Sequence, residues 1–389
     1  MTRVLSIIGL VTFAGTLFLR AVDPVIPQIA VDMAVDPNTA VLLSTAFALP
    51  YALMQPVLGP LADMVGKTRM MTVSLLICAL AALAGTAAPN FTLLVASRIV
   101  AGIAAGGVFP AAMAAVSDLV PVAQRQVALG RLIAAAISGQ ILGASCAGFV
   151  GDLIGWRGVF AFVGIIGAGA AIYAYLGLRD VGAGHAARFD LGSAVRGYRE
   201  IFANPRAKVC YGAVFLEGIF IFGLFPYVAL LLLAAGEGRA AVAGIVIAGF
   251  GVGGIAYSMA IATLLGRLGE RRVMMTGGIA AALALAGVAA GAPWPLEFMA
   301  FAALGFGFYM LHGSIQLYAT ELAPTARGAA MAMHSSSFFL GQALGPVVYG
   351  LEMARFGSTA SILIGAAMIV LIGWVCARLL PHPGDQRPR

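Results

Sequence analysis

Of 389 residues, 61% are hydrophobic and only 10% are charged, with a mean hydropathy of +0.99. A soluble domain needs a polar surface, and about a quarter of its residues are charged. This composition excludes one and leaves lipid as the solvent around most of the chain. Lipid offers the backbone no hydrogen bonds, so only helices or closed barrels can span it. The apolar runs here far exceed the roughly 10-residue alternating strands of a barrel, so the fold class is an all-α membrane protein.

A membrane helix needs about 20 apolar residues. Charges, prolines and glycines divide the chain into twelve such runs: 4–27, 39–62, 70–88, 91–116, 127–150 and 156–178, then 208–234, 240–265, 272–291, 294–320, 327–353 and 357–380. The first run has no small-residue cleavage site closing a short core, and it reads as an uncleaved first span. Two breaks are short, Ala88-Pro89-Asn90 and Ala292-Pro293-Trp294-Pro295, and proline marks both. The four cysteines, Cys78, Cys146, Cys210 and Cys376, all lie in apolar runs without CxxC or Cys/His spacing. They read as packing residues, with no metal, disulfide or cofactor implied.

Numbering the connections alternately puts 18 of the 23 Lys and Arg residues on the side of the N-terminus, 3 on the other side (Arg157, Arg239 and Arg355) and 2 within spans, Arg20 and Arg98. The positive-inside rule then places both termini in the cytoplasm. The +7 net charge is mostly this topology signal, and no nucleic-acid partner is expected.

The segment 179–207 is the one long connection. It divides a six-span half, 1–178, from a second, 208–389, that includes a short cytoplasmic tail. The halves echo each other. Gly66-Lys67-Thr68-Arg69-Met70-Met71 after span 2 matches Gly269-Glu270-Arg271-Arg272-Val273-Met274 after span 8, 203 residues later. Ser117-Asp118-Leu119-Val120-Pro121 matches Thr320-Glu321-Leu322-Ala323-Pro324 at the same displacement of 203. One displacement shared by two loops implies a duplicated six-helix unit, in which a site forms between the halves near mid-membrane and access alternates.

Gly59-Pro60-Leu61-Ala62-Asp63-Met64-Val65-Gly66-Lys67 resembles the loop 2–3 signature of the major facilitator superfamily, with Met64 in place of a basic residue and the second basic residue displaced to Arg69. Leu94 to Gly106 resembles that family's fourth-helix motif around an arginine, here Arg98, and Gly155-Trp156-Arg157 before span 6 is also typical. Gly139-x-x-x-Gly143 resembles the span 5 motif of drug:proton antiporters, but Ala144 replaces its proline; the full Gly341-x-x-x-Gly345-Pro346 stands on span 11. The resemblance covers the whole chain. It implies a secondary transporter of two pseudo-symmetric six-helix bundles in the inner or plasma membrane, working as a monomer on a small molecule and protons. For the antiporter branch the incomplete span 5 motif weakens the match.

Several residues carry candidate chemistry. Gly59, Asp63, Gly66, Lys67 and Arg69 form a candidate cytoplasmic gate, in which Asp63 pairs with Lys67 and Arg69 or caps a helix; the alternative is a topology anchor and turn. Arg20 and Asp23 share one face of span 1, with Arg98 at a similar depth on span 4. A charge in hydrocarbon costs several kcal/mol unless paired, so Asp23 is expected to pair with Arg98 or Arg20, either as a proton carrier or as a static ion pair. Glu217 lies about ten residues into span 7, roughly 15 Å deep, with no basic residue near it in sequence. It reads as a proton carrier, a ligand for a cationic substrate, or a protonated helix contact. Tyr51, Gln55, Gln140, Phe222, Tyr227, His312 and Gln316 are candidates for lining a substrate cavity, and His334 is a weaker one; each also reads as an interhelical contact. Gly139, Gly143, Gly341, Gly345 and Pro346 are read as helix packing.

Enzyme classes find no support: there is no HExxH, and Gly143-Ala144-Ser145-Cys146-Ala147 misses a G-x-S-x-G elbow. No connection is long enough for the nucleotide-binding domain of a pump, and the duplicated halves speak against a channel. The expected function is proton-coupled efflux of an amphiphilic, drug-like compound, with uptake or facilitated diffusion of a sugar or organic acid as the alternative.

Overall fold

The structure is a computed structural model that describes residues 2–179, 181, 199–323 and 327–380. Among these residues all regular secondary structure is helical. Each expected span is present. Span 1 is Thr2–Arg20 continued by a 3-10 turn, Asp23–Val25, and a short helix, Ile26–Asp32. Spans 2 and 3 are Pro37–Val65 and Lys67–Thr86; span 4 is Phe91–Ala105 and Val108–Leu119, broken at Gly106-Gly107. Spans 5 and 6 run together as Val122–Leu178 with a kink at Gly155. Span 7 is Pro205–Phe220, a 3-10 segment Phe222–Tyr227, and Val228–Ala234. Spans 8 to 12 are Ala240–Leu268, Glu270–Ala289, Trp294–Glu321, Arg327–Phe356 and Ser358–Leu379.

Local chemistry sets the helix ends. Asp36 Oδ1 accepts from Asn38 N at 2.8 Å and Asn90 Oδ1 from Leu93 N at 3.0 Å, supplying N-caps for spans 2 and 4. Pro37 and Pro205 occupy first-turn positions, where a missing N–H costs nothing. The span 2 helix runs three residues past its expected end at 62, to Val65, and Gly66 alone turns the chain into span 3. Its φ of 99° is open only to glycine at low cost, and its repeat partner Gly269 has φ 73°. The kink at Gly155 (φ 75°) likewise returns at Gly357 (φ 80°), 202 residues later.

The chain forms two compact units: Met1–Phe189 with Pro226–Ile245, and Asp190–Phe225 with Val246–Arg389. The sequence halves therefore differ from the packed units by one segment, 226–245, which packs in unit 1.

Within unit 1, span 5 lies on span 1 so closely that a Cβ at Gly139 would stand 2.4 Å from Phe13 O, and span 4 lies on span 2 with a Cβ at Gly102 2.2 Å from Phe47 O. Unit 2 repeats both contacts. A Cβ at Gly341 would stand 2.0 Å from Phe215 O, and one at Gly305 would stand 1.9 Å from Phe250 O. The displacement is 202 residues for the first pair of contacts and 203 for the second. Small residues let membrane helices meet at their backbones, where apolar burial cannot drive association. The duplication read from two loops thus extends to individual backbone contacts.

Unit 1 also holds the start of span 8 against span 5. Both carboxylate oxygens of Asp152 accept backbone N–H bonds there, from Ala240 and Ala241 at 2.9 Å each. The cap comes from another helix and places a negative charge at a helix N-terminus. Asp152→Ala is expected to cost about 1–2 kcal/mol, read as a lower melting temperature of the purified protein; an unchanged melting temperature would show that the cap carries no stability.

Candidate functional site

Two buried ionisable clusters stand out, one in each unit. In unit 1, span 1 loses its α-helical ladder just where Asp23 precedes Pro24. The Asp23 carboxylate is fully buried; Arg20 Nη1 donates to it at 3.3 Å and Ser44 Oγ at 2.7 Å. Arg98 acts on Asp23 through its charge. Its own hydrogen bonds go to Leu43 O and Phe18 O at 3.4 Å, and its guanidinium lies 4.3 Å from the centre of the Phe47 ring. Of the two expected pairings, the direct one is with Arg20.

The equivalent node of unit 2 is aromatic. Adding 202 to Asp23 gives Phe225, and adding 203 to Arg98 and Phe47 gives Phe301 and Phe250. Phe225 packs on Phe301 with ring centres 5.6 Å apart and on Phe250 at 5.2 Å. The fold therefore closes the same junction with rings in one unit and with charges in the other.

In unit 2 the charged group is Glu217, two turns before that node and fully buried. It is not isolated, as its sequence neighbourhood suggests. Its Oε2 is 2.8 Å from Nδ1 of His312 on span 10. Span 7 breaks immediately afterwards, and Phe222 at the break packs on Phe250, Phe308 and Phe338 with ring centres 5.1–5.2 Å apart. Phe308 stacks on the His312 ring at 4.7 Å, Phe338 meets it at 4.8 Å, and His334 lies 5.1 Å from it. The result is a carboxylate–imidazole pair walled by phenyl rings. Chemically, such a pair can hold a proton on either member.

Of the cytoplasmic-gate candidates, the expected pairing of Asp63 falls on a side chain outside the described residues. Lys67 donates at 2.5 Å to Asp118, which lies at the end of span 4. Gly59 lies in the span 2 helix, the side chain of Asp63 lies outside the described residues, Arg69 is exposed, and Gly66 forms the turn. Thr68 donates to Val181 O at 3.1 Å, tying the start of the long connection to this corner. A pairing of Lys67 with a residue 51 positions away is invisible to local reading. Outside the spans, Glu237 is held down to about 2 by hydrogen bonds from the Arg239 side chain and backbone, so it stays ionised and is no proton carrier.

Of the cavity candidates, Tyr51, Gln55 and Tyr227 are buried in unit 1, and Tyr51 hydrogen-bonds Gln55; Gln140 there is half-buried. In unit 2, Phe222 is buried, His312 half-buried and Gln316 exposed. Among the described residues no cluster of His, Cys, Asp and Glu is arranged to hold a metal, and the described cysteines are free. Sequence reading missed Ser44 as a ligand of Asp23 and the joining of Glu217 to His312. It also missed the Phe225–Phe301 node, which lies at displacements of 202 and 203 from Asp23 and Arg98.

The chain matches the family model described as Major Facilitator Superfamily over residues 8–238 and again over 210–389. It is 27% identical over 358 residues to the uncharacterized MFS-type transporter YwfA of Bacillus subtilis, covering 90% of this chain and 85% of that protein. It is 31% identical over 132 residues to the quinolone resistance protein NorA of Staphylococcus aureus, a match covering 34% of each chain. Among solved structures, a bacterial homolog of the human lysosomal transporter Spinster, inward-facing and unoccupied, aligns with a TM-score of 0.75 at 17% identity over 97% of this chain and 96% of that one. The D-xylose–proton symporter aligns with a TM-score of 0.76 at 15% identity over 98% of both. These two likenesses speak for the fold. Ten helices among the described residues long and apolar enough to cross a membrane, the family match across both halves, and two buried ionisable clusters within the spans leave one assignment: the chain is a multi-pass membrane protein that belongs to the major facilitator superfamily of transporters.

Proposed function

We propose that the chain is a proton-coupled exporter of amphiphilic, drug-like compounds, with both termini in the cytoplasm and Glu217 as the coupling carboxylate. The observation that carries this reading is the Glu217–His312 pair, 2.8 Å apart on two spans, with the carboxylate fully buried. An ionisable group within a membrane span is expensive and marks an ion or proton path by default. Here it is joined to a group that can take its proton. The aromatic walls of Phe222, Phe308 and Phe338 suit a flat apolar substrate, and the partial match to a quinolone resistance protein points to the same class. Asp23 is the second coupling candidate, held by Arg20 and Ser44. Lys67 and Asp118, joined at the cytoplasmic ends of spans 3 and 4, form part of the gate.

The test is flux in proteoliposomes. A fluorescent quinolone and a sugar are offered separately, with a proton gradient imposed and then collapsed. Gradient-driven movement of the quinolone against its own gradient, lost when an ionophore is added, is the expected result. Movement of the sugar alone would replace export with uptake, and indifference to the gradient would remove proton coupling.

A further inference from the structure

His312 has more than one partner within reach. Phe308 stacks on its ring at 4.7 Å and Phe338 lies tilted against it at 4.8 Å, and an imidazole makes its hydrogen bonds through the two nitrogens at its edge. Nδ1 is engaged with Glu217. The other imidazole in contact with it is His334 on span 11, with ring centres 5.1 Å apart and planes inclined at 60°. A ring nitrogen stands roughly 1 Å from its ring centre, so two imidazoles sharing an N–H···N bond of about 2.9 Å have centres about 5 Å apart. The rings thus have the spacing of a hydrogen-bonded pair without the alignment, which a turn of the His334 side chain would supply.

Two buried atoms are left over. His334 is 2% exposed and its Nε2 has no hydrogen-bond partner among the described residues; Glu217 is 0% exposed and its Oε1 has none among them either. Buried polar atoms are rarely left so without a reason. Packing alone does not explain an imidazole at this place, since the neighbouring positions are filled by phenyl rings.

We propose that His334 is the proton's second station, and that His312 passes the proton between Glu217 and His334. This rests on the reading of Glu217 as the coupling carboxylate. The carboxyl proton of Glu217 moves to Nδ1 of His312 while the Nε2 proton of His312 moves to Nε2 of His334. Glu217 is left as a carboxylate, His312 neutral in its other tautomer, and His334 as an imidazolium. One O–H and one N–H bond break and two N–H bonds form, so no proton is gained or lost. The other titratable groups on which the charge of Glu217 acts are the thiols of Cys210 on span 7 and Cys376 on span 12. Among the described residues no Lys or Arg is bonded to the three relay groups.

The chain has four histidines, so the relay can be read without a substrate by nitrogen-15 NMR of histidine-labelled protein in lipid bilayers. Removing His185 and His382, which lie outside the described residues, leaves the two ring signals of interest. His334→Gln, or His334→Asn if that variant does not fold, assigns them. The expected result is that His334 converts between neutral ring and imidazolium as pH is varied, and that Glu217→Gln shifts or abolishes this conversion. A His334 that stays neutral wherever the protein is folded overturns the proposal. So does one that titrates identically with and without the Glu217 carboxylate. Gradient-driven transport that survives Glu217→Gln would instead sink the coupling role of Glu217, a separate outcome from the His334 spectrum.

Discussion

Glu217→Gln is expected to abolish gradient-driven transport while leaving the protein folded and able to exchange substrate for substrate. Glutamine keeps the shape and can still hydrogen-bond His312, so the site between Phe222, Phe308 and Phe338 stays filled. What it cannot do is release a proton. Removing a group that carries a proton in the working step typically costs about 100-fold or more. The measurement is paired: uptake driven by a pH step, and counterflow at equal pH. Loss of the first by about two orders of magnitude with counterflow held within a few-fold is the expected pattern. Equal losses in both would make Glu217 a structural residue.

Asp23→Asn is the informative contrast, because Asp23 faces two arginines where Glu217 faces a histidine. Arg20 and Arg98 are 6% and 4% exposed. Taking away the carboxylate leaves two buried guanidiniums with too little negative charge to balance them, and breaking a buried ion pair this way costs about 3–5 kcal/mol. The expectation is a destabilised protein in which exchange and coupled transport fall together. The aromatic node of unit 2 suggests the rescue. Phe222, Phe225 and Phe301 stand where Arg20, Asp23 and Arg98 do, so replacing all three charged residues by apolar ones removes the imbalance that Asp23→Asn creates.

How much of this was legible beforehand follows the range of each interaction. The twelve runs were legible because lipid imposes a length and a composition on every span, and the duplication because Gly66 and Gly269 meet one backbone demand at two places. The breaks within spans 1, 4 and 7 were not, since hydropathy does not register them, although Pro24, Gly106-Gly107 and Pro226 mark all three. Charged residues were found, and the partner of Asp23, Arg20, three positions away on the same face, but not the distant partners. Glu217 and His312 are 95 positions apart and Lys67 and Asp118 are 51 apart, so only tertiary packing joins them. The packing role of Gly139 and Gly341 was readable as a motif; the carbonyls they meet, Phe13 O and Phe215 O, were not.

That last pair carries a second large expected effect. Gly341→Val would put a Cβ 2.0 Å from Phe215 O, and Gly139→Val would put one 2.4 Å from Phe13 O and 2.1 Å from Thr16 Oγ1. The obstacle is backbone in both cases, and a backbone carbonyl within a helix cannot turn aside as a side-chain end can. Overpacking a tight interface costs about 1–3 kcal/mol and occasionally more; here whole helices must separate, so the upper end applies. Each variant should lose most of its monodisperse peak on heating in detergent at temperatures the parent survives. Gly9→Ala, on the same span as Phe13 but with nothing within 4 Å of the new Cβ, should melt with the parent. Because the two contacts are repeats of one another, the two losses should be similar in size. If Gly139→Val is tolerated while Gly341→Val is not, span 5 yields at a contact where span 11 is fixed. The incomplete motif on span 5, with Ala144 where span 11 has Pro346, would then mark a mechanical difference between the halves.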